Sequence, residues 1–209
     1  MKFNSYTEFL NEAFDPSKFL TQEQIDWCNK HIDGSWGVNA KREVTVRRKN
    51  VEFKDKSFDR FPVKFAPVKG NFDCDDCPKL ISLEGAPSHV GGNFWCSGCP
   101  ELVSLKGAPA HVGGNFSCTR CPELTSLEGA PAHVGGNFDC SSCSNLVSLE
   151  GAPSQVGKKF NLMYRGCPKL PDSFTGIIDD YFKKEIDWKT AHKMIHSEPH
   201  RAARSLGIL

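Results

Sequence analysis

Apolar and polar positions follow a fixed pattern of 22 residues that is repeated four times in the middle of the chain. In the second copy, Phe94 and Cys96 stand two residues apart, which predicts a short β-strand with both side chains on one face. Leu102 and Leu105 complete the apolar set, and Pro109 predicts an extended return because proline disfavours a helix before it. The copies begin at Val68, Val90, Val112 and Val134. A repeat of this length predicts a solenoid, in which each coil buries its apolar face only against its neighbours.

The stretch before the first copy carries fragments of the same pattern. Phe58 and Phe61 have the spacing that the two leucines have in each copy, and Val44 and Val46 alternate as strand residues do. We therefore predict that residues 51–67 form a divergent first coil without cysteines and that the Val44–Val46 pair is a capping strand. Terminal coils are expected to be atypical because they cover the open ends of the core.

Helical spacing occurs at both ends of the chain. The first 14 residues place Phe3, Tyr6, Phe9 and Leu10 on one helical face. A second helix is predicted to begin with a capping box of Thr21 and Gln24, and the C-terminal part has the stripe Ile177, Ile178, Tyr181 and Phe182. The chain is thus predicted to be an α+β protein with a β-solenoid between helical caps. Its segments are 1–14, 15–50, 51–172 and 173–209.

Composition excludes few function classes. The 209 residues carry a net charge of +1 and 24% charged residues, which is typical of an ordinary soluble domain. No apolar run is long enough to span a membrane, and the balanced charge makes nucleic acid an improbable partner. A local basic patch is interpreted as a solvated sheet edge that discourages strand pairing. It consists of Lys41, Arg42, Arg47, Arg48 and Lys49.

The repeat F-x-C-x-x-C-x-x-L-x-S-L-x-G-A-P-x-x-V resembles the leucine-rich repeat, above all the short, proline-containing type of secreted bacterial effectors. The resemblance covers roughly half of the chain, judged by repeat length. It implies a single parallel sheet with an extended convex side. Phe and Cys replace the usual Leu and Val, and nothing in the chain is long enough to be the ubiquitin-ligase domain of those effectors. Units of the form L-x-S-L-E-G-A-P-x-x-V-G-G-x-F also resemble a family of tailed-bacteriophage proteins.

Eight of the ten cysteines form four C-x-x-C pairs, spaced as in zinc ribbons. The repeat itself enforces this spacing, and the fifth, degenerate unit has Leu162 at the first cysteine position, as a core site allows. We therefore expect buried free thiols that act as small apolar side chains in a ladder. Zinc binding in a module that contacts nucleic acid stays as the alternative. Its ligands would be Cys74, Cys77, Cys96, Cys99, Cys118, Cys121, Cys140 and Cys143.

The first 13 residues resemble the capsid-targeting peptide of internal proteins of T-even-like phages. In that family a prohead protease cuts after the Glu of a Leu/Ile-x-Glu motif, and Glu12 followed by Ala13 matches this site. One extra residue between Lys2 and the aromatic core departs from the family pattern. The resemblance implies a location in the capsid interior of the virion or in the cytoplasm of the infected host.

Outward positions of the predicted strands vary between copies, whereas inward positions are nearly constant. Three varying columns follow the phenylalanine: the first contains Asp73 and Trp95, the second Asp75, Ser97 and Ser141, and the third Asp76, Arg120 and Ser142. Variation confined to one face is typical of a recognition surface, and an outward Trp95 resembles an interface anchor. The predicted partner-binding residues are Asp73, Trp95, Ser117, Asp139, Asp75, Arg120 and Tyr164. No nucleophile–base pair, phosphate-binding loop or cofactor motif is found. The sequence therefore predicts a non-enzymatic protein that needs no cofactor and binds a protein partner, such as a host protein.

The pair Cys28 and His31 is interpreted as helix packing, and His192 and His196 as exposed helix residues.

Overall fold

The computed structural model describes residues 15–162, 167–171 and 186–197, together with Phe174, Ile177, Asp180, Tyr181 and Lys184. The N-terminal peptide 1–14, which contains Glu12 and Ala13, lies outside the described residues, and so does Tyr164. Within the described ranges, no helix has both the length and the apolar character that crossing a membrane requires.

The N-terminal cap consists of a helix and a β-hairpin. Helix α1 (Gln22–His31) begins at the predicted capping box, in which Thr21 and Gln24 each accept the other's backbone N–H. Cys28 and His31 on this helix are buried, as predicted for packing residues. Strand β1 (Trp36–Val38) then pairs antiparallel with β2 (Val44–Val46), and Val44 forms a parallel bridge with Phe65. The hairpin therefore covers the first coil of the solenoid.

The main sheet of the solenoid is parallel and has six short strands. Its members are β3 (Val51–Glu52), β4 (Phe72–Asp73), β6 (Phe94–Trp95), β8 (Phe116–Ser117), β10 (Phe138–Asp139) and β12 (Phe160–Asn161), in that spatial order. The solenoid also contains a second parallel ladder, whereas the resemblance to leucine-rich repeats implies a single parallel sheet. Its strands are β5 (His89–Val90), β7 (His111–Val112), β9 (His133–Val134) and β11 (Gln155–Val156). The predicted α+β solenoid with helical caps is confirmed, and β3 supplies the divergent first coil.

The core is a stack of identical side chains. Phe94 and Phe116 lie with ring centroids 5.4 Å apart and planes 8° from parallel, and the other inward phenylalanines continue this stack at the same spacing. At the C-terminal end Trp188 closes the stack on Phe160 at 4.2 Å. At the N-terminal end Phe53 and Phe65 meet Phe72 edge-on. The stack is thus closed by aromatic rings of the divergent first coil at one end and by Trp188 of the C-terminal cap at the other.

Three successive coils contain a pair of glycines, Gly91-Gly92, Gly113-Gly114 and Gly135-Gly136, because the neighbouring coil leaves no space for a side chain there. A Cβ at Gly113 would lie 2.3 Å from the carbonyl oxygen of Gly91, and a Cβ at Gly114 would lie 2.3 Å from the Asn93 side chain. Beside this pair, Asn93 Oδ1 accepts the Asn115 N–H at 2.7 Å, and the same bond recurs along the coils. The asparagine ladder was not predicted, although its side chain recurs in every copy before the phenylalanine.

The C-terminal cap docks through helix α2 (Trp188–Ile195). Asp187 caps its first turn by accepting the Thr190 N–H at 2.7 Å. Trp188 Nε1 donates to the Pro153 carbonyl at 3.0 Å, and His192 Nε2 lies 3.2 Å from the Ala152 carbonyl oxygen. The prediction that His192 and His196 are exposed is therefore wrong, because both are half-buried where the helix meets the last coils.

Candidate binding face of the main sheet

One column of side chains runs across the outer face of the main sheet. Strand register places Trp95 directly between Asp73 and Ser117, with Asp139 and Asn161 continuing the column. Each follows a fully buried phenylalanine, so alternation along the strand turns these five side chains outward. All five are half-buried, since each is flanked by the coils on either side.

Most members of this column are already bonded to neighbours. Lys56 Nζ lies 3.4 Å from Asp73 Oδ1, and the Ser117 hydroxyl lies 2.7 Å from that of Ser97. Asp139 Oδ2 accepts from the Asn161 amide at 3.4 Å. Trp95 differs, because no group among the described residues accepts its indole N–H. The face therefore presents an indole with an open donor between engaged polar side chains.

Asp75 lies beside this column in a partly buried position. Its Oδ1 accepts the Ser97 N–H at 2.5 Å, and its backbone carbonyl accepts from Lys56 Nζ at 2.6 Å. Burial raises the pKa of the Asp75 carboxyl, and the nearby Asp73 carboxylate adds to this. Asp75 thus helps to hold the turn of the next coil, a structural role that the sequence analysis did not assign to it.

The prediction that the whole second column faces outward is wrong at two positions. Ser97 and Ser141, one and three coils after Asp75, are only 6% and 5% exposed. The third column sits at a tight turn, where Asp76, Arg120 and Ser142 have φ between 52° and 62°. Residues of the third column must therefore tolerate a positive φ, which restricts their variation, although the Arg120 side chain is exposed.

Exposed large apolar side chains form a stripe elsewhere on the solenoid. Val103 is 55% exposed, and Val147 and Ile81 are 45% and 37% exposed, at one position of successive coils between the two inward leucines. This stripe was not predicted from the sequence. It is interrupted by Thr125, which takes the same position in the third copy.

The cysteines form two hydrogen-bonded columns inside the coils. Cys121 Sγ donates to the Cys96 carbonyl one coil earlier at 3.3 Å, and Cys96 Sγ donates to the Ser117 carbonyl one coil later at 3.3 Å. All ten cysteines are free and buried. Burial raises the pKa of Cys96 and Cys118 well above the usual range of a thiol and that of Cys143 to about 12. These contacts agree with the predicted thiol ladder.

The zinc alternative needs several ligands around one point. Among the residues that the structure describes, no group of three or more His, Cys, Asp or Glu side chains is placed to hold a metal ion. Six of the eight thiols instead donate to backbone carbonyls of neighbouring coils, and Cys77 donates to the Asp75 carbonyl of its own coil.

A stack of histidines on the second ladder was also not predicted from the sequence. His111 and His133 lie with ring centroids 4.5 Å apart and planes 9° from parallel, and His89 continues the stack at 5.7 Å. The signal was present, because each of the first three copies ends in His. It was overlooked because the position has no counterpart in the apolar pattern.

Comparison of the chain with protein-family models, with curated proteins and with solved structures gave no match.

Proposed function

We propose that this chain is a non-enzymatic binding protein and that the outer face of its main sheet, centred on Trp95, contacts a protein partner. The observation that carries this proposal is the outer column itself. Its inward neighbours are identical from coil to coil, whereas the outward residues differ and include one indole whose N–H has no acceptor among the described residues. Trp is the residue type most enriched among interface hot spots.

The dimensions of the face suit a modest interface. Strands of a sheet lie about 4.8 Å apart, so six strands span roughly 25 Å between the outermost pair. A face of this width can contribute a standard-sized contact only together with the neighbouring loops. Acidic side chains at Asp73, Asp76 and Asp139 flank Trp95 and Arg120 on this surface, so the proposed partner presents donors or cations there.

Quantitative affinity capture from the host cell in which the protein is made tests this proposal. Trp95→Ala should lose partners that the wild-type chain retains, because truncation of an anchoring aromatic residue costs about 2 kcal/mol or more. Val103→Ala is the matched control, since it shortens an exposed apolar side chain away from the main sheet. Equal loss in both variants, or retention of every partner by Trp95→Ala, would refute the assignment of this face.

We also propose that the protein is phage-encoded and is either packaged in the virion or acts on a host protein in the infected cell. The resemblance of residues 1–13 to capsid-targeting peptides supports this proposal. Peptide mass spectrometry of purified virions tests it. A chain that begins at Ala13 would indicate packaging with cleavage after Glu12. A chain found only in infected cells, with Met1 intact, would contradict packaging and leave the host-protein interaction as the proposal.

A further inference from the structure

The second ladder of the solenoid ends one strand early at its N-terminal side. Val68 bridges Val90, and the ladder continues from there through β7 and β9. One repeat length before Val68 stands Val46, which would form the next rung. Val46 instead pairs antiparallel with Trp36 in the capping hairpin. Because Val46 pairs within the hairpin, it does not pair with Val68, and a gap remains beside residues 67–69.

The gap leaves one backbone donor without its usual acceptor. In the following coils, Gly91 donates its N–H to the Val68 carbonyl and Gly113 donates to the Val90 carbonyl, both at 2.8 Å. Lys69 holds the same position one coil earlier, so its N–H points toward the missing rung. Among the described residues, no backbone or side-chain group accepts this N–H. Lys69 is an exposed residue of the cavity rim, so its unpaired N–H can donate to a bound group there.

The gap is a cavity of about 430 Å³ with an apolar floor. Val46, which is half-buried, and Pro67, which is exposed, supply its accessible apolar surface, whereas the buried Val44, Val51 and Val68 line it with little exposed area. The chain closes it on both sides, where Ala66 donates to the Val44 carbonyl at 2.9 Å and Gly70 donates to the Lys49 carbonyl at 3.0 Å. A peptide strand therefore cannot run through the gap, which excludes sheet extension by a partner and favours a small group.

The rim of the cavity is cationic. Arg47, Arg48, Lys49 and Lys69 line it, and no carboxylate does. Arg48 is bonded to Asp33 at 2.7 Å, whereas Arg47, Lys49 and Lys69 have no ion-pair partner among the described residues. Lys69 of the next coil therefore joins the basic patch at residues 41–49, and three exposed cations without an ion-pair partner lie on the rim of the cavity that the open N–H also borders.

We infer that this cavity binds an oxyanion, a phosphate or carboxylate group, of a small molecule. One oxygen of the group accepts the Lys69 N–H, and the others lie against Arg47 and Lys49. Charged acceptors form the strongest hydrogen bonds to backbone N–H groups and to guanidinium groups. The accessible side chains of Val46 and Pro67 contact an apolar part of the ligand, as apolar linings do in most small-molecule sites. The site lies on the cap and is separate from the proposed protein-binding face.

Amide NMR of the full-length chain tests this inference with two probes, inorganic phosphate and n-hexanoate, at constant ionic strength. Saturable shifts should centre on the Val68, Lys69 and Gly70 amides. Phosphate alone would identify a phosphate site, and hexanoate alone would identify a carboxylate site with an apolar pocket. The double variant Arg47→Gln, Lys69→Gln should bind the effective probe about tenfold more weakly, which is the loss expected for a charged hydrogen-bonding group.

Lys158→Gln serves as the matched control, because Lys158 is an exposed cation at the opposite end of the solenoid. It should leave the affinity unchanged. The inference is overturned if neither probe gives saturable shifts at Lys69, if shifts grow linearly at all basic residues alike, or if the double variant binds as the wild type does.

Discussion

Single glycines set how closely the coils of this solenoid approach. The backbone oxygen of one coil lies where the Cβ of the next coil's residue would be, as between Gly91 and Gly113. Gly113 has no left-handed φ, so the requirement there is for space alone. Gly107 is different, since it combines a φ of +91° with a carbonyl oxygen 2.4 Å from its would-be Cβ. The repeat thus excludes larger residues for two physical reasons, which are lack of space at Gly113 and a left-handed φ in addition to lack of space at Gly107.

Gly113→Ala should lower the free energy of unfolding by about 1–3 kcal/mol, the usual cost of overpacking. The neighbouring atom is a backbone oxygen, which cannot move without shifting a whole coil. Gly37→Ala is the control, because the nearest atom to its Cβ would be Thr45 Oγ1 at 3.7 Å, an ordinary contact. Urea unfolding of both variants measures the difference. Equal stabilities would show that the coils separate at little cost.

Burial should make the thiols unreactive, including Cys99, whose pKa is lowered by hydrogen bonding with Cys77 but whose side chain is fully covered. Because burial raises the pKa of Cys96 and Cys118 well above the usual range, little thiolate is present at neutral pH. We expect an aromatic disulfide reagent to modify none of the ten cysteines in the native protein and all ten after denaturation. Thr125→Cys adds one exposed thiol and should react at once in the folded chain. Rapid native reaction of the wild type, or stoichiometric zinc that blocks reaction after purification, would contradict the ladder.

At the scale of the element, helix α2 depends on contacts made with coils that lie far away in sequence. Trp188 covers the end of the phenylalanine stack and donates to Pro153, while His192 reaches the Ala152 carbonyl. Burial lowers the pKa of His192, and the neighbouring His196 adds to this. The imidazole is therefore held neutral in the docked helix.

Stability should fall when the pH drops below the ordinary pKa of histidine. A free imidazole has a pKa of about 6.5, so the unfolded chain takes up the proton before the folded chain does. The contribution of neutral His192 is present above that pH and is lost below it. We expect a lower melting temperature at about pH 5.5 than at about pH 7.5, a window in which ordinary carboxylates stay ionised. His192→Gln should flatten this dependence, and an unchanged slope would disprove the assignment.

Sequence reasoning succeeded where a residue's environment repeats with the chain and failed where it depends on distant elements. Phe94, Cys96 and Leu102 were assigned inward because the same neighbours recur every 22 residues. Ser97 was assigned outward because strand alternation ignores the side chains of the adjacent coil, such as Asp75, that cover it. Exposure of His192 was misjudged since helix docking is invisible in local spacing. The face around Trp95 was predicted, whereas its bonded neighbours and the cavity beside Lys69 follow from long-range pairing.

The whole molecule behaves as a one-dimensional stack whose stability is a sum over coils and their interfaces. Every rung repeats the same contacts, including the phenylalanine stack, the asparagine ladder and the thiol bonds. Only the ends differ, where Phe53 of the divergent first coil and Trp188 of the C-terminal cap close the stack. The caps should therefore accept any whole number of coils between them.

Deleting residues 112–133 tests this property directly. The deletion joins the coil that begins at Val90 to the one that begins at Val134, so that Phe94 meets Phe138 in the same register and every ladder continues. The shortened chain should fold cooperatively and lose roughly a tenth of its denaturant slope, since that slope scales with the surface exposed on unfolding. Deleting only residues 112–122 is the matched control, because half a repeat breaks the register of both sheets. Folding of the control, or failure of the whole-repeat deletion, would show that particular coils rather than their repetition specify the solenoid.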